Sequence, residues 1–215
     1  MNVFIHGIRH EAAAQCAADF LKDGCPVYAA EGHPVLQEQG LQVLTGGIAA
    51  ALRGREAVLD ILVLCADHHM EDDTSIEAGA PRPYEELAQA IANAVYPCLK
   101  TGEELIPLME KSSVKRIALL SERASSINCM EQAEDFSFHM TQSALHMMQR
   151  IWFNRLRPEG YTFRCYAGTV APFGGGMSAK DYILQNFSYD ANEPFIHSEE
   201  NRLVMRNSLM QDIPW

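Results

Sequence analysis

The stretch Asp60-Ile61-Leu62-Val63-Leu64-Cys65-Ala66 decides the fold of this chain. It is apolar at every position after Asp60 rather than at alternate positions, which is typical of a strand covered on both faces by helices. Such strands belong to parallel sheets, because the connections between parallel strands place helices on the two faces. The stretch therefore predicts an α/β fold.

Apolar runs on both sides of this strand alternate with segments of helical period. Further strands are predicted at residues 3–5, 26–30, 41–44, 114–120, 161–170 and 202–206. Helices are predicted over residues 11–22, 48–52, 84–111 and 138–156, with Pro97 and Pro107 dividing the third into two pieces. This order predicts a Rossmann-like, three-layer, doubly wound parallel sheet of about six or seven strands.

Composition is that of a globular protein, with 47% hydrophobic and 21% charged residues, and 215 residues suit a single domain over 1–215. Lys and Arg total 17 against 28 Asp and Glu, a net charge of -11. This charge repels phosphate backbones and anionic lipid. We therefore expect neither a nucleic acid nor a membrane as partner.

Cysteine spacing and the absence of a leader pattern indicate the compartment. The six cysteines lie far apart and form no CxxC pair, so we expect them to be reduced and structural. The first residues show no basic segment followed by a long apolar one, and no stretch reaches the roughly 20 apolar residues of a membrane span. We expect a cytoplasmic protein.

Several strings in this order resemble the short-chain dehydrogenase/reductase (SDR) family, from Met1 to about Val170. Ile5-His6-Gly7 is similar to the opening of that family's phosphate-binding turn. Val27-Tyr28-Ala29-Ala30-Glu31 resembles its second strand, which in NAD-binding members ends in an acid that holds the ribose hydroxyls. The other matching strings are residues 60–67, 116–121 and 164–170.

The resemblance implies an NAD(P) cofactor. The residues that it assigns to the cofactor are Gly7, Ile8, Arg9, Glu31 and Ala66. Glu11 and Ala13 stand where the family has its other two glycines, and a carboxylate at Glu11 would repel a pyrophosphate. Arg9 is either a phosphate ligand or an exposed loop arginine without such a role.

The resemblance also implies a catalytic set at Asn93, Ser121, Phe138 and Gln142. Phe138 stands at the position of the proton-donating tyrosine, and Gln142 at that of the lysine that lowers the tyrosine pKa. Neither side chain can perform that task, so another group has to supply the proton if the chain is an enzyme. Ser125 is an alternative to Ser121 as the serine that orients the carbonyl.

His139 and His146 flank Gln142 at a spacing that favours one helix face. They predict either a replacement acid or, as we favour, histidines at a helix edge or subunit contact. The run from Asp67 to Asp73 holds potential metal ligands, but adjacent ligands rarely converge on one ion. We interpret this run as a solvated acidic loop and predict no metal.

The function predicted from the resemblance is an atypical NAD(P)-linked oxidoreductase of a small carbonyl or hydroxyl compound. The alternative is a non-catalytic relative that binds a small molecule or a protein. Residues 171–200, with their glycines, predict a flexible substrate loop or a plain connector. Apolar residues on helices 84–111 and 138–156 exceed what one sheet face needs, which favours a homodimer or homotetramer.

Overall fold

The computed structural model describes residues 1–66, 84–131, 136–168, 175–186, 200 and 202–215. Its strands are β1 (Val3–Ile5), β2 (Val27–Ala29), β3 (Gln42–Val43), β4 (Ile61–Cys65), β5 (Arg116–Leu120), β6 (Thr162–Tyr166), β7 (Met205–Arg206) and β8 (Asp212–Ile213). Its helices are α1 (Glu11–Lys22), α2 (Pro34–Glu38), α3 (Ile48–Gly54), α4 (Tyr84–Leu105), α5 (Phe136–Leu156) and α6 (Ala179–Leu184). Short 3₁₀ helices span Ile106–Met109, Arg123–Ser125 and Arg157–Glu159.

The strands form one sheet in the order β3-β2-β1-β4-β5-β6-β7-β8. Every neighbouring pair is parallel except β7 and β8, which are antiparallel. The doubly wound sheet is confirmed, and the described residues contribute eight strands rather than six or seven. The additional strand, β8, has two residues, too few for a periodic signal in the sequence.

The central strands are buried along their whole length, as the run around β4 predicts. All residues of β4 and β5 are buried. Side chains of one face share a core with α4 and α5, which includes Leu62 and Trp152, and those of the other face share a core with α1, which includes Val63 and Phe20. The sheet therefore has a hydrophobic core on each side.

Helix α4 departs from the sequence prediction at Pro97, which lies inside the continuous helix. The change to a second helical piece comes at Pro107, in the 3₁₀ helix that follows Leu105. Neighbouring Cys98 is fully buried, and this packing holds the helix together although Pro97 provides no backbone donor. The two pieces are thus confirmed, but their boundary lies at the second proline alone.

The 171–200 region is described only in part. Helix α6 forms in it, with the Ser178 hydroxyl accepting a hydrogen bond from the Asp181 backbone, where the sequence predicted an irregular segment. The predicted acidic loop from Asp67 to Asp73 and most of the predicted substrate loop lie outside the described residues. In the part described, no group of three metal-ligand side chains forms, and no helix is long and apolar enough to span a membrane. All six cysteines are free.

Candidate active site

A crevice opens at the carboxyl ends of β1 and β2, where the strand order reverses between β1 and β4. Such switch points are where open α/β sheets bind ligands. The crevice has a volume of about 350 Å³. The residues that line it are Ile5, His6, Gly7, Ile8, Ala30, Glu31, Ala92, Asn93 and Pro97.

Gly7 forms the turn between β1 and α1. Its φ is +74°, and a Cβ at this position would lie 2.0 Å from the Cys65 carbonyl oxygen. The turn also closes locally, because the His10 N–H donates to the Gly7 carbonyl at 3.0 Å. Position 7 therefore requires glycine because the turn lies so close to β4, and this requirement does not depend on what the crevice binds.

The N-terminus of α1 is capped by this chain's own side chain. The His10 Nδ1 accepts a hydrogen bond from the Ala12 N–H at 3.3 Å, so one amide that could face an anion already has an acceptor. Glu11 adds a carboxylate to the first turn. Ala13, at the other lost glycine position, is fully buried and its methyl belongs to the core.

Arg9 and Glu31 form an ion pair beside the crevice, with 3.1 Å between Nε and Oε2. Their side chains are 64% and 50% exposed. An ion pair that is so accessible to water contributes little to stability. Opening it to free Glu31 for another hydrogen-bond donor therefore costs little.

The two remaining predicted cofactor residues differ in position. Ile8 is buried in the same turn as Arg9, whereas Ala66 does not line the crevice.

Helix α4 supplies the opposite wall of the crevice. Asn93 is exposed there, and its Oδ1 accepts a hydrogen bond from Gln89 Nε2 at 2.7 Å. His6 at the end of β1 contacts buried Thr101 of α4, with 3.2 Å between Nδ1 and Oγ1. The structure thus brings predicted Asn93 to the same crevice as Gly7 and Glu31.

A hydrogen-bonded cluster lies at the carboxyl end of β5. Ser121 Oγ is 2.7 Å from His146 Nε2, 3.3 Å from Gln142 Oε1 and 3.1 Å from Ser125 Oγ. Ser125 is buried and its hydroxyl donates to the Glu122 carbonyl, whereas Ser121 is half-buried. Of the two serines, Ser121 is thus the more exposed.

Burial controls the protonation of this cluster. It lowers the pKa of His146 to about 4, so the imidazole is neutral at pH 7. Burial also raises the pKa of the Cys165 thiol, whose sulfur lies 3.9 Å from His146 Nε2. At neutral pH the cluster therefore consists of uncharged hydrogen-bonding groups.

Phe138 and His139 begin the same helix, α5. Their rings are edge-on, with centroids 5.2 Å apart, and His139 Nδ1 is 2.9 Å from the Ala124 carbonyl oxygen. His139 thus contacts backbone, while His146 contacts the candidate catalytic serine. The sequence favoured a helix edge or subunit contact for His146 over a replacement acid, and that position is wrong, because His146 is buried and contacts Ser121. Its spacing of four from Gln142 placed it on that helix face, but the sequence could not show Ser121 beside it.

The two groups of residues share one edge of the sheet. The crevice follows β1, the Ser121 cluster follows β5, and only β4 lies between them. Two strand spacings separate β1 from β5 by about 10 Å. Glu31 follows β2, one strand further, so an extended ligand from Glu31 to Ser121 would span three strand spacings, about 14 Å.

Solved structures of short-chain dehydrogenases/reductases share this architecture. A carbonyl reductase from Pseudomonas aeruginosa PAO1 matches at TM-score 0.69 and 19% identity, covering 100% of this chain and 99% of that one. A short-chain dehydrogenase from Rhodopseudomonas palustris matches at 0.62 and 16%, covering 80% and 85%. L-sorbose reductase from Gluconobacter frateurii matches at 0.59 and 16%, covering 78% and 68%.

No family model matches the chain, and no curated protein matches it. The fold is nevertheless that of the short-chain dehydrogenases/reductases, as the sequence resemblance predicted. At such low sequence identity the comparison establishes the fold, and the function has to be argued from the residues of the site.

Proposed function

We propose that this protein is an atypical NAD(P)-linked oxidoreductase that acts on a small carbonyl or hydroxyl compound. The observation that carries the proposal is the shared sheet edge, with the Gly7–Glu31–Asn93 crevice at one end and the Ser121 hydroxyl two strands away. Solved proteins of this fold include a carbonyl reductase in complex with NADP.

The crevice residues fit the adenosine side of a dinucleotide. Glu31 follows β2, where its carboxylate would accept hydrogen bonds from ribose hydroxyls once Arg9 releases it. Arg9 would then be free to meet a phosphate. Glu11 and the His10 cap weaken the pyrophosphate position, so we expect weak binding rather than none.

The crevice residues would hold NAD(P), which supplies hydride chemistry, and with phenylalanine at position 138 the accompanying proton would be exchanged with water. Ser121 would orient the substrate oxygen by a hydrogen bond, since its hydroxyl is the half-buried polar group at the end of β5. His146, neutral at pH 7, would hold that hydroxyl in place through Nε2. Asn93, exposed on α4, would provide an amide to polar groups in the crevice.

A second candidate function rests on Phe138 and Gln142. The structure places Gln142 beside Ser121, where the resemblance expects lysine, and Phe138 has no proton to donate. Both observations favour a non-catalytic protein that keeps the crevice for ligand binding. The two candidates differ in turnover and agree in predicting a ligand at the crevice.

Calorimetric titration with NADH and NADPH tests the proposal. We expect submillimolar binding of one of them, as for a pocket that offers several hydrogen bonds. Ala92→Trp should abolish binding, because Ala92 lines the crevice from an exposed position on α4. Ala88→Trp is the matched control, since Ala88 is exposed on the same helix and does not line the crevice.

Each result decides between the candidates. Binding that Ala92→Trp removes, together with oxidation of NAD(P)H by a panel of small aldehydes and ketones, supports the oxidoreductase. Binding without turnover selects the non-catalytic candidate. No binding of either dinucleotide at millimolar concentration overturns the proposal. A Gly7 variant is unsuitable, because any side chain there meets the Cys65 carbonyl.

We also propose that the protein assembles as a homodimer or homotetramer through α4 and α5. Large apolar side chains are exposed on these two helices, among them Tyr96 at 61% and Ile151 at 57%. Such a surface in a globular protein favours association with a second copy.

A further inference from the structure

A second cavity lies between α5 and the residues that flank β7 and β8. It has a volume of about 320 Å³ and shares no residue with the crevice. Among the residues that line it are Ser125, Ser143, His146, Arg150, Leu203 and Trp215. Most of this surface is apolar, which is the usual composition of a small-molecule site.

The wall formed by Trp215 is held in place by hydrogen bonds. The indole N–H donates to the Leu203 carbonyl at 3.2 Å, and the Asn128 N–H donates to the Trp215 carbonyl at 3.3 Å. The indole packs edge-on against His146, with ring centroids 4.9 Å apart. The cavity is therefore preformed, and an apolar ligand would not have to order this wall.

Arg150 gives the cavity a cation beside its apolar walls. It is exposed on α5, its guanidinium lies 5.3 Å from the Phe153 ring centroid, and it forms no ion pair with any residue in the part of the chain described. His146, buried at the inner side, brings no charge at pH 7. Arg150 is therefore the one cationic side chain among the lining residues, and an anionic group at the rim would meet it.

We propose that this cavity binds a small amphipathic monocarboxylate, with its hydrocarbon part against Leu203 and Trp215 and its carboxylate on Arg150. A guanidinium binds a carboxylate through two parallel hydrogen bonds, which orients the ligand with its polar end outward. This site is separate from the crevice, and its inner wall adjoins the Ser121 cluster through His146.

Tryptophan fluorescence during titration with octanoate tests the proposal, with octanamide as the neutral probe of similar shape. We expect octanoate to change the emission of Trp215 and to bind at least tenfold more tightly than octanamide. Trp215→Phe should lose this change, because the other tryptophan, Trp152, is buried away from the cavity. Calorimetry gives the dissociation constants without relying on fluorescence.

Variants on α5 identify the site. Arg150→Gln should remove the preference for octanoate, whereas Arg155→Gln, which removes the same charge outside the cavity, should keep it. Ser143→Trp should abolish binding of both probes by filling the cavity, with an unchanged melting temperature. Equal affinity for the two probes, or an unchanged preference in Arg150→Gln, overturns the proposal.

Discussion

The Ser121 hydroxyl lies 2.7 Å from His146 Nε2, which joins the end of β5 to the middle of α5. His146 is 6% exposed, and its burial lowers its pKa to about 4 from 6.5. The unfolded chain therefore binds this proton at a higher pH than the folded protein does. Protonation of His146 therefore destabilises the folded state.

This relationship predicts how stability depends on pH. Stability should fall as the pH drops from about 6.5 to 4, and His146 should account for up to about 3 kcal/mol of the loss. His146→Asn keeps a hydrogen-bonding partner for Ser121 without the titration, so its stability should fall less over this range. Urea unfolding of both proteins at pH 7 and pH 4.5 measures the difference, and parallel losses would contradict the assignment.

Gly7 and Gly24 provide a matched pair for the turn at the crevice. Both have a φ of +74°, but a Cβ at Gly7 meets the Cys65 carbonyl at 2.0 Å, whereas a Cβ at Gly24 meets nothing within 4 Å. We expect Gly24→Ala to cost about 1 kcal/mol and Gly7→Ala several times more, or to prevent folding. Urea unfolding compares them. Equal costs would show that the contact with β4 is unimportant.

The buried ion pair between Arg164 and Glu200 predicts a large loss of stability. Its two nitrogen–oxygen distances are 2.5 and 3.1 Å, and Arg116, also buried, lies 3.9 Å from the same carboxylate. Glu200→Gln leaves two buried guanidinium groups without this charge and should cost roughly 3 kcal/mol.

The matched control for the Glu200→Gln variant is Glu104→Gln. Glu104 is 4.0 Å from Lys100 on the exposed side of α4. Because water screens such a pair, its loss should cost only a small fraction of the loss at Glu200. Chemical denaturation of both variants at pH 7 gives the comparison. A Glu200 variant as stable as the Glu104 variant would mean that the arginines keep their positions without the carboxylate.

The oxidoreductase proposal predicts that two substitutions in α5 increase the activity of the protein. Phe138→Tyr with Gln142→Lys would place a phenol and an ammonium on the helix that carries Gln142 beside Ser121, and the lysine would lower the phenol pKa. We expect kcat for ketone reduction to rise at least about 10²-fold, which is typical of a positioned acid. Adding Glu11→Gly should lower KM for NAD(P)H with little change in kcat, because it acts at the N-terminus of α1.

The single variants are the controls for that experiment. Phe138→Tyr alone provides a phenol of ordinary pKa and should give a much smaller gain. Wild-type turnover as fast as that of the double variant would refute the argument, since it would require a proton donor other than these groups.

The proposed association through α5 predicts that a charged substitution on this helix lowers the mass of the protein in solution. Ile151→Asp places a charge on the exposed apolar surface and should give a monomer, whereas Leu209→Asp, equally exposed but outside α4 and α5, should leave the mass unchanged. Sedimentation velocity at several protein concentrations measures this. A wild-type monomer at every concentration would contradict the proposed dimer.

The sequence by itself determined the sheet, because burial on both faces leaves a continuous apolar run such as Asp60–Ala66, which is visible without tertiary information. It also placed Gly7, Glu31 and Asn93, through the resemblance, at positions that the structure gathers around one crevice. The predicted break at Pro97 was wrong. A proline removes one backbone donor locally, whereas the packing of the whole helix decides whether the helix continues past it.

Only the tertiary structure decided which polar groups meet. The His10 cap on α1, the Arg9–Glu31 pair and the contact of Ser121 with His146 are set by side-chain directions and by the strand order. Ser121 and His146 lie 25 residues apart, and no periodic pattern links them. Local patterns encode secondary structure because its contacts are short-range, whereas the chemistry of this site comes from contacts that exist only after the strands and helices have packed.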